Sequence, residues 1–124
     1  MLNEKNKIYD LEERTAEFGE SIIEFAKKIP KNVITIPLID QLIKSGTSVG
    51  SNYCEADCAE SRKDFEHKLG IAKKESKETK HWLRMIAKAV PELKEEAIRL
   101  WNEANELQRI FITIIKKSRA HKNN

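Results

Sequence analysis

SRKDFEHKLGIAKKESKETKHWLRMIAKAV, residues 61–90, is the stretch whose reading decides the fold. Phe65, Leu69, Ala72, Ser76, Thr79, Leu83, Ile86 and Val90 recur in it at alternating spacings of four and three, which puts them on one stripe of an α-helix. No proline interrupts the run. At ~1.5 Å per residue the helix is about 40 Å long, the length of one wall of a helical bundle. On its opposite side Lys63, His67, Gly70, Lys74, Lys77, His81, Arg84 and Lys88 form a second series, also spaced by three or four, with no acid among them. One face suits a core; the other is a band of positive charge.

The flanking chain supplies three more helices. Ser61 with Asp64 caps the long helix, and Pro91 ends it while opening the next, whose stripe is Leu93, Ala97, Leu100, Ala104, Leu107, Phe111 and Ile114. Upstream, Asp10 with Glu13 opens a first helix carrying Leu11, Thr15, Phe18, Ile22, Phe25 and Ile29, closed by Pro30-Lys31-Asn32. A connector follows, with Val33, Ile34 and Ile36 expected to pack over the bundle end. The second helix is expected from Pro37, with Ile39, Leu42, Ile43, Gly46, Val49, Gly50 and Tyr53 inward. Its Ser45–Asn52 segment holds almost no good helix former, so it needs tertiary support, and Gly46 and Gly50 would let another backbone come close. Short connections imply antiparallel neighbours: an all-α, up-down-up-down four-helix bundle spanning residues 10–118, between a polar tail at 1–9 and a basic tail at 119–124.

Composition agrees with one helical domain. The chain has 124 residues, 40% hydrophobic and 35% charged, with 6% aromatics. No apolar run reaches the length of a membrane span, and the start MLNEKNKIYD lacks an apolar signal core, so a cytoplasmic protein is expected. Through Glu60 seven Lys/Arg face eleven Asp/Glu, a net of −4; from Ser61 sixteen face nine, a net of +7.

Catalytic and metal chemistry find little purchase. Glu78 and His81 form a single Glu-x-x-His, whereas di-iron bundles need two plus further inward glutamates. Cys54 and Cys58 stand four apart on one helix, too far for a relaxed disulfide, and no second pair completes a tetrahedral metal set; buried or half-buried thiols are expected. No phosphate loop or nucleophilic triad spacing occurs. The expectation is therefore no enzyme, no cofactor and no metal. Glu55, Glu75 and Glu78 lie near core stripes and are expected to pair with Lys or Arg on a neighbouring helix or across an oligomer interface. Helix four carries a second apolar stripe, Ile98, Trp101, Ile112 and Ile115, and helix three a flank at Ile71, Trp82 and Met85. This surplus marks either a broad apolar arc or a surface for a partner.

The segment QLIKSGTSVGSNYCEADCAESRKDFEHKLGIAKKESKETKHWLRMI, residues 41–86, resembles the bacterial four-helix-bundle proteins encoded in intervening sequences of 23S ribosomal RNA genes. DLEERTAEF at 10–18 and NEANELQRI at 102–110 extend the resemblance over nearly the whole chain. The most specific portions are Lys44–Ser48, Asn52–Ala56, Lys74–Thr79 and Trp82-Leu83, with Lys44 standing where the motif usually has arginine. The resemblance implies a small antiparallel bundle assembling into a ring, commonly a pentamer, without established catalytic residues. A similar but more distant architecture, the accessory protein of diversity-generating retroelements, is basic and binds nucleic acid.

Two functional classes follow. The first is a homo-oligomeric assembly module, held by Ile71, Trp82, Ile98, Trp101, Ile112 and Ile115. The second is a ring that binds RNA or nucleoprotein electrostatically through Lys63, Lys74, Lys77, His81, Arg84 and Lys88.

Overall fold

The computed structural model describes residues 10–122. Four helices account for nearly all of them: α1 (Leu11–Lys28), α2 (Thr35–Asp57), α3 (Arg62–Ala89) and α4 (Lys94–Lys122), with a 3-10 turn at Pro91–Leu93. The expected tail at residues 1–9 lies outside the described residues, as do 123 and 124; residues 119–122 continue α4.

Both expected N-caps form. The Asp10 carboxylate accepts the Glu13 N–H at 3.1 Å and the Ser61 hydroxyl accepts the Asp64 N–H at 3.0 Å, each satisfying a donor that has no intrahelical partner. Val90 closes α3, its N–H donating to the Ile86 carbonyl, and Pro91 starts the 3-10 turn, where a missing N–H costs nothing.

The helices pack in a square. α2 and α3 touch along most of their length, as do α3 and α4; α1 lies on α2 and meets α4 more thinly, while the backbones of the diagonal pairs α1/α3 and α2/α4 stay apart among the described residues. Cross-helix contacts fix the directions. Lys80 meets Asn105 and Glu66 meets Ser118, so numbering rises on α3 as it falls on α4. The result is the antiparallel up-down-up-down bundle. Every α3 stripe residue from Leu69 to Val90 is buried and Phe65 is half-buried. Around them Ile22, Phe25, Leu42, Leu107 and Phe111 complete a core at 0–1% exposure.

The weak α2 is held by its neighbours. A Cβ built on Gly46 would stand 2.9 Å from both Ile22 γ-carbons, and one on Gly50 would stand 3.3 Å from the Thr15 carbonyl oxygen, so both glycines admit α1. The Ser45, Thr47 and Ser48 hydroxyls donate back to carbonyls three or four residues earlier, and no buried side-chain polar atom is left unpaired among the described residues.

The connector departs from expectation. Val33, Ile34 and Ile36 do not cover the bundle end; they are 88%, 64% and 55% exposed. A polar turn overrides their hydrophobicity. Asn32 Oδ1 accepts the N–H groups of Ile34 and Thr35 at 2.9 Å, while the Thr35 hydroxyl accepts the Asn32 N–H and donates to the Pro30 carbonyl. This starts α2 at Thr35 rather than Pro37, buries Thr35 and turns its apolar neighbours outward.

Candidate functional site

The outward face of α3 is as basic as its spacing predicts. Lys63, Lys74, Lys77, His81, Arg84 and Lys88 are all exposed, and among the described residues none takes part in an ion pair. The His81 ring lies edge-on to Trp82, 4.8 Å between centroids.

A counterpart stands on the diagonal helix. Glu13, Glu17, Glu20 and Glu24 of α1 are exposed and spaced four, three and four, so they form one outward stripe. Only Glu24 has an ion-pair partner among the described residues, Lys27 at 3.2 Å. The subunit is therefore electrically polar, with an acidic corner at α1 opposite a basic corner at α3. The spacing alone carried that signal, but its position relative to α3 needed the fold.

The six apolar residues expected to make one interface do not share one surface. Ile98 and Trp101 are 47% and 37% exposed and line a 430 Å³ concavity with Leu83, Ala87 and Ala97, rimmed by Arg84 and Lys94. Lys80 lies across its lower edge, its ammonium 4.8 Å over the Trp101 ring and 2.9 Å from Asn105 Oδ1. Burial, then the nearby Lys77 and Arg109, lower the Lys80 pKa from its ordinary value. Ile112 is half-buried further along α4. Ile115 does not belong to the outer stripe: at 5% exposure it is part of the subunit's own core, because it lies about 40° from Phe111 around the helix. Ile71 and Trp82 are half-buried and share a stripe of α3 with Lys68, which pairs with Glu55 of α2 at 3.3 Å. They thus sit on the α2 side of α3, and Ile98 and Trp101 on its α4 side.

A second concavity, 310 Å³, runs between α1 and α2, lined by Ala16, Gly19, Ile23, Thr47, Gly50 and Cys54 with Glu12 and Glu20 beside them. Cys54 and Cys58 are free thiols and both are exposed, contrary to the expected burial, because the last turn of α2 turns only Ala56 inward. Burial of its sulfur, then Glu12 and the second thiol, raise the Cys54 pKa. The thin α1/α4 seam is tied by charge: Arg14 forks onto Glu103 at 2.8 and 2.9 Å, and Lys28 meets Glu96 at 2.7 Å.

Several residues that carry the family resemblance serve the helices and their packing. Asn52 donates to the Ser48 carbonyl, Tyr53 stacks on Phe111 at 6.3 Å, Glu55 pairs with Lys68, Ala56 is buried, and Thr79 donates to the Glu75 carbonyl. Lys44, where arginine is usual, meets Asp40 at 3.1 Å in an exposed pair. Glu55 is paired as expected, whereas Glu75 and Glu78 have no ion-pair partner among the described residues. Burial and then Glu78 raise the Glu75 pKa above its ordinary value, partly offset by Lys74. Among the described residues no three His, Cys, Asp or Glu side chains cluster as metal ligands, and no helix is long and apolar enough to cross a membrane.

Known proteins place this geometry in a family. No curated protein matches the chain. The crystal structure of a protein of unknown function from the S23 ribosomal protein family of Bacteroides thetaiotaomicron superposes with a TM-score of 0.76 at 33% identity, over 85% of this chain and 97% of that one. Residues 6–113 match the 23S rRNA-intervening sequence protein, and the chain belongs to that family.

Proposed function

We propose that this protein is a non-enzymatic assembly module of the cytoplasm that works as a closed homo-oligomer, with five subunits as the number its family resemblance implies. The observation that carries the reading is the Ile98–Trp101 surface. A tryptophan and an isoleucine at 37% and 47% exposure flank an apolar concavity whose rim is charged, the arrangement of an apolar interface centre with a polar edge. The two free, exposed thiols fit a reducing compartment. Trp101→Glu leaves the core untouched, and its new carboxylate can meet Lys80. Sedimentation should show the parent as an oligomer and this variant as a folded single chain; a variant of parental size would refute the role given to this surface.

A second reading has its own observation. Lys63, Lys74, Lys77, Arg84 and Lys88 form an exposed stripe without ion pairs among the described residues, and a ring would repeat it. On this reading the assembly binds structured RNA through phosphates, with affinity that falls steeply with salt and little base preference. Reversing Lys74, Lys77 and Arg84 to glutamate should abolish that binding without changing the oligomer. Salt-independent binding, or none at low salt, would leave the stripe an ordinary solvated face.

A further inference from the structure

We infer that the contact between copies is head-to-tail: the α1–α2 edge of one subunit, with Ile23 and Ile36, seats on the α3–α4 edge of a second copy, against its Ile98 and Trp101. The inference rests on the assembly reading and adds the surface that the first one meets.

The large apolar side chains most exposed among the described residues are Ile23, Val33, Ile34, Ile36, Ile98 and Trp101. They fall in two groups. Four belong to α1, α2 and the turn between them; two belong to α4, beside α3. In the square of helices these are opposite edges, so no single subunit can bring them together.

Charge then selects how copies pair. The α1–α2 concavity has two charged residues in its lining, both carboxylates, Glu12 and Glu20. The α3–α4 concavity also has two, both cations, Arg84 and Lys94. A two-fold contact of either edge with itself would oppose like charges, whereas head-to-tail packing sets acid against base.

Heights agree as well. Lys28 reaches Glu96 and Arg14 reaches Glu103, so the α4 segment holding Ile98 and Trp101 is level with the α1 segment holding Ile23. Copies standing side by side in parallel bring these residues together without sliding. Such an interface closes into a ring if each copy is rotated about an axis along the bundles.

Complementation tests the pairing. Ile23→Glu with Ile36→Glu disables one edge and leaves the other intact; Ile98→Glu with Trp101→Glu does the reverse. All four positions are exposed, and circular dichroism checks that each variant keeps parental helicity. Each variant alone should run as a single chain. An equimolar mixture, with one intact pair of edges left, should give a two-chain complex of one copy of each. A mixture that stays single-chain overturns head-to-tail pairing. An Ile23→Glu, Ile36→Glu variant of parental size overturns the proposal while leaving the assembly reading intact. A parent that is itself a single chain overturns both.

Discussion

Gly46→Ala adds one methyl group to α2 and should destabilise the protein. Alanine is worth about 1 kcal/mol over glycine in a helix interior, so propensity alone favours the change. The new Cβ, however, would lie 2.9 Å from Ile22 Cγ1 and Cγ2 and 3.1 Å from Ile22 Cβ. Ile22 is fully buried, and rotating it cannot move its own Cβ, so relief requires α1 to shift. Overpacking of this kind costs about 1–3 kcal/mol, and the branch-point contact puts it toward the upper end. The net loss is about 1–2 kcal/mol. Gly70→Ala is the control, since a Cβ there meets nothing within 4 Å. It should stabilise by about 0.5–1 kcal/mol. Urea unfolding at one fixed protein concentration reads both, because assembly would make apparent stability depend on concentration. In an Ile22→Ala background the two 2.9 Å contacts are gone and only the 3.1 Å contact with the Cβ of residue 22 remains, so Gly46→Ala should cost less than in the parent. If Gly46→Ala matched Gly70→Ala in the parent, the close α1–α2 approach would not exist.

Three further outcomes follow from single contacts. Ser61→Ala removes the acceptor of the Asp64 N–H and should cost about 1 kcal/mol, with Ser61→Asp restoring most of it; equal melting of all three would show that the cap contributes nothing. The folded state raises the Glu75 pKa above its ordinary 4.5, so it holds that proton more tightly than the unfolded chain and loses stability as pH rises through the carboxylate range. Glu75→Gln should accordingly stabilise the fold at neutral pH, with the gain vanishing well below pH 4.5; a gain independent of pH would assign it to something other than the charge. Cys54 lines the α1–α2 concavity and Cys58 does not. Assembly through that edge should slow labelling of Cys54 by a thiol reagent relative to Cys58, and Trp101→Glu should release it, whereas an unchanged ratio would leave the edge uncovered.

The bundle was legible because its strongest signals are local. Eight residues of α3 keep a three-four rhythm without a break, and Asp10, Ser61 and Pro91 mark ends by chemistry that acts within one turn. Packing was harder to read. Val33, Ile34 and Ile36 look like core by hydropathy, but the Asn32–Thr35 hydrogen bonds set the turn and point them outward. Ile115 sits where the two apolar stripes of α4 adjoin, and only the position of α3 decides which of them is inside. Trp82 and Trp101 both signalled surplus apolar surface, yet they flank α3 on opposite sides. The α1 glutamates were visible individually; their meaning came from the diagonal placement of α1 and α3.

The molar mass of the unmodified protein, followed by light scattering across micromolar concentrations, distinguishes a closed oligomer from a single chain. A discrete multiple of the 14.4 kDa chain is expected, persisting on dilution and falling to one chain for Trp101→Glu. A mass of 14.4 kDa at every concentration would contradict it, and the exposed apolar edges would then have no partner in a second copy.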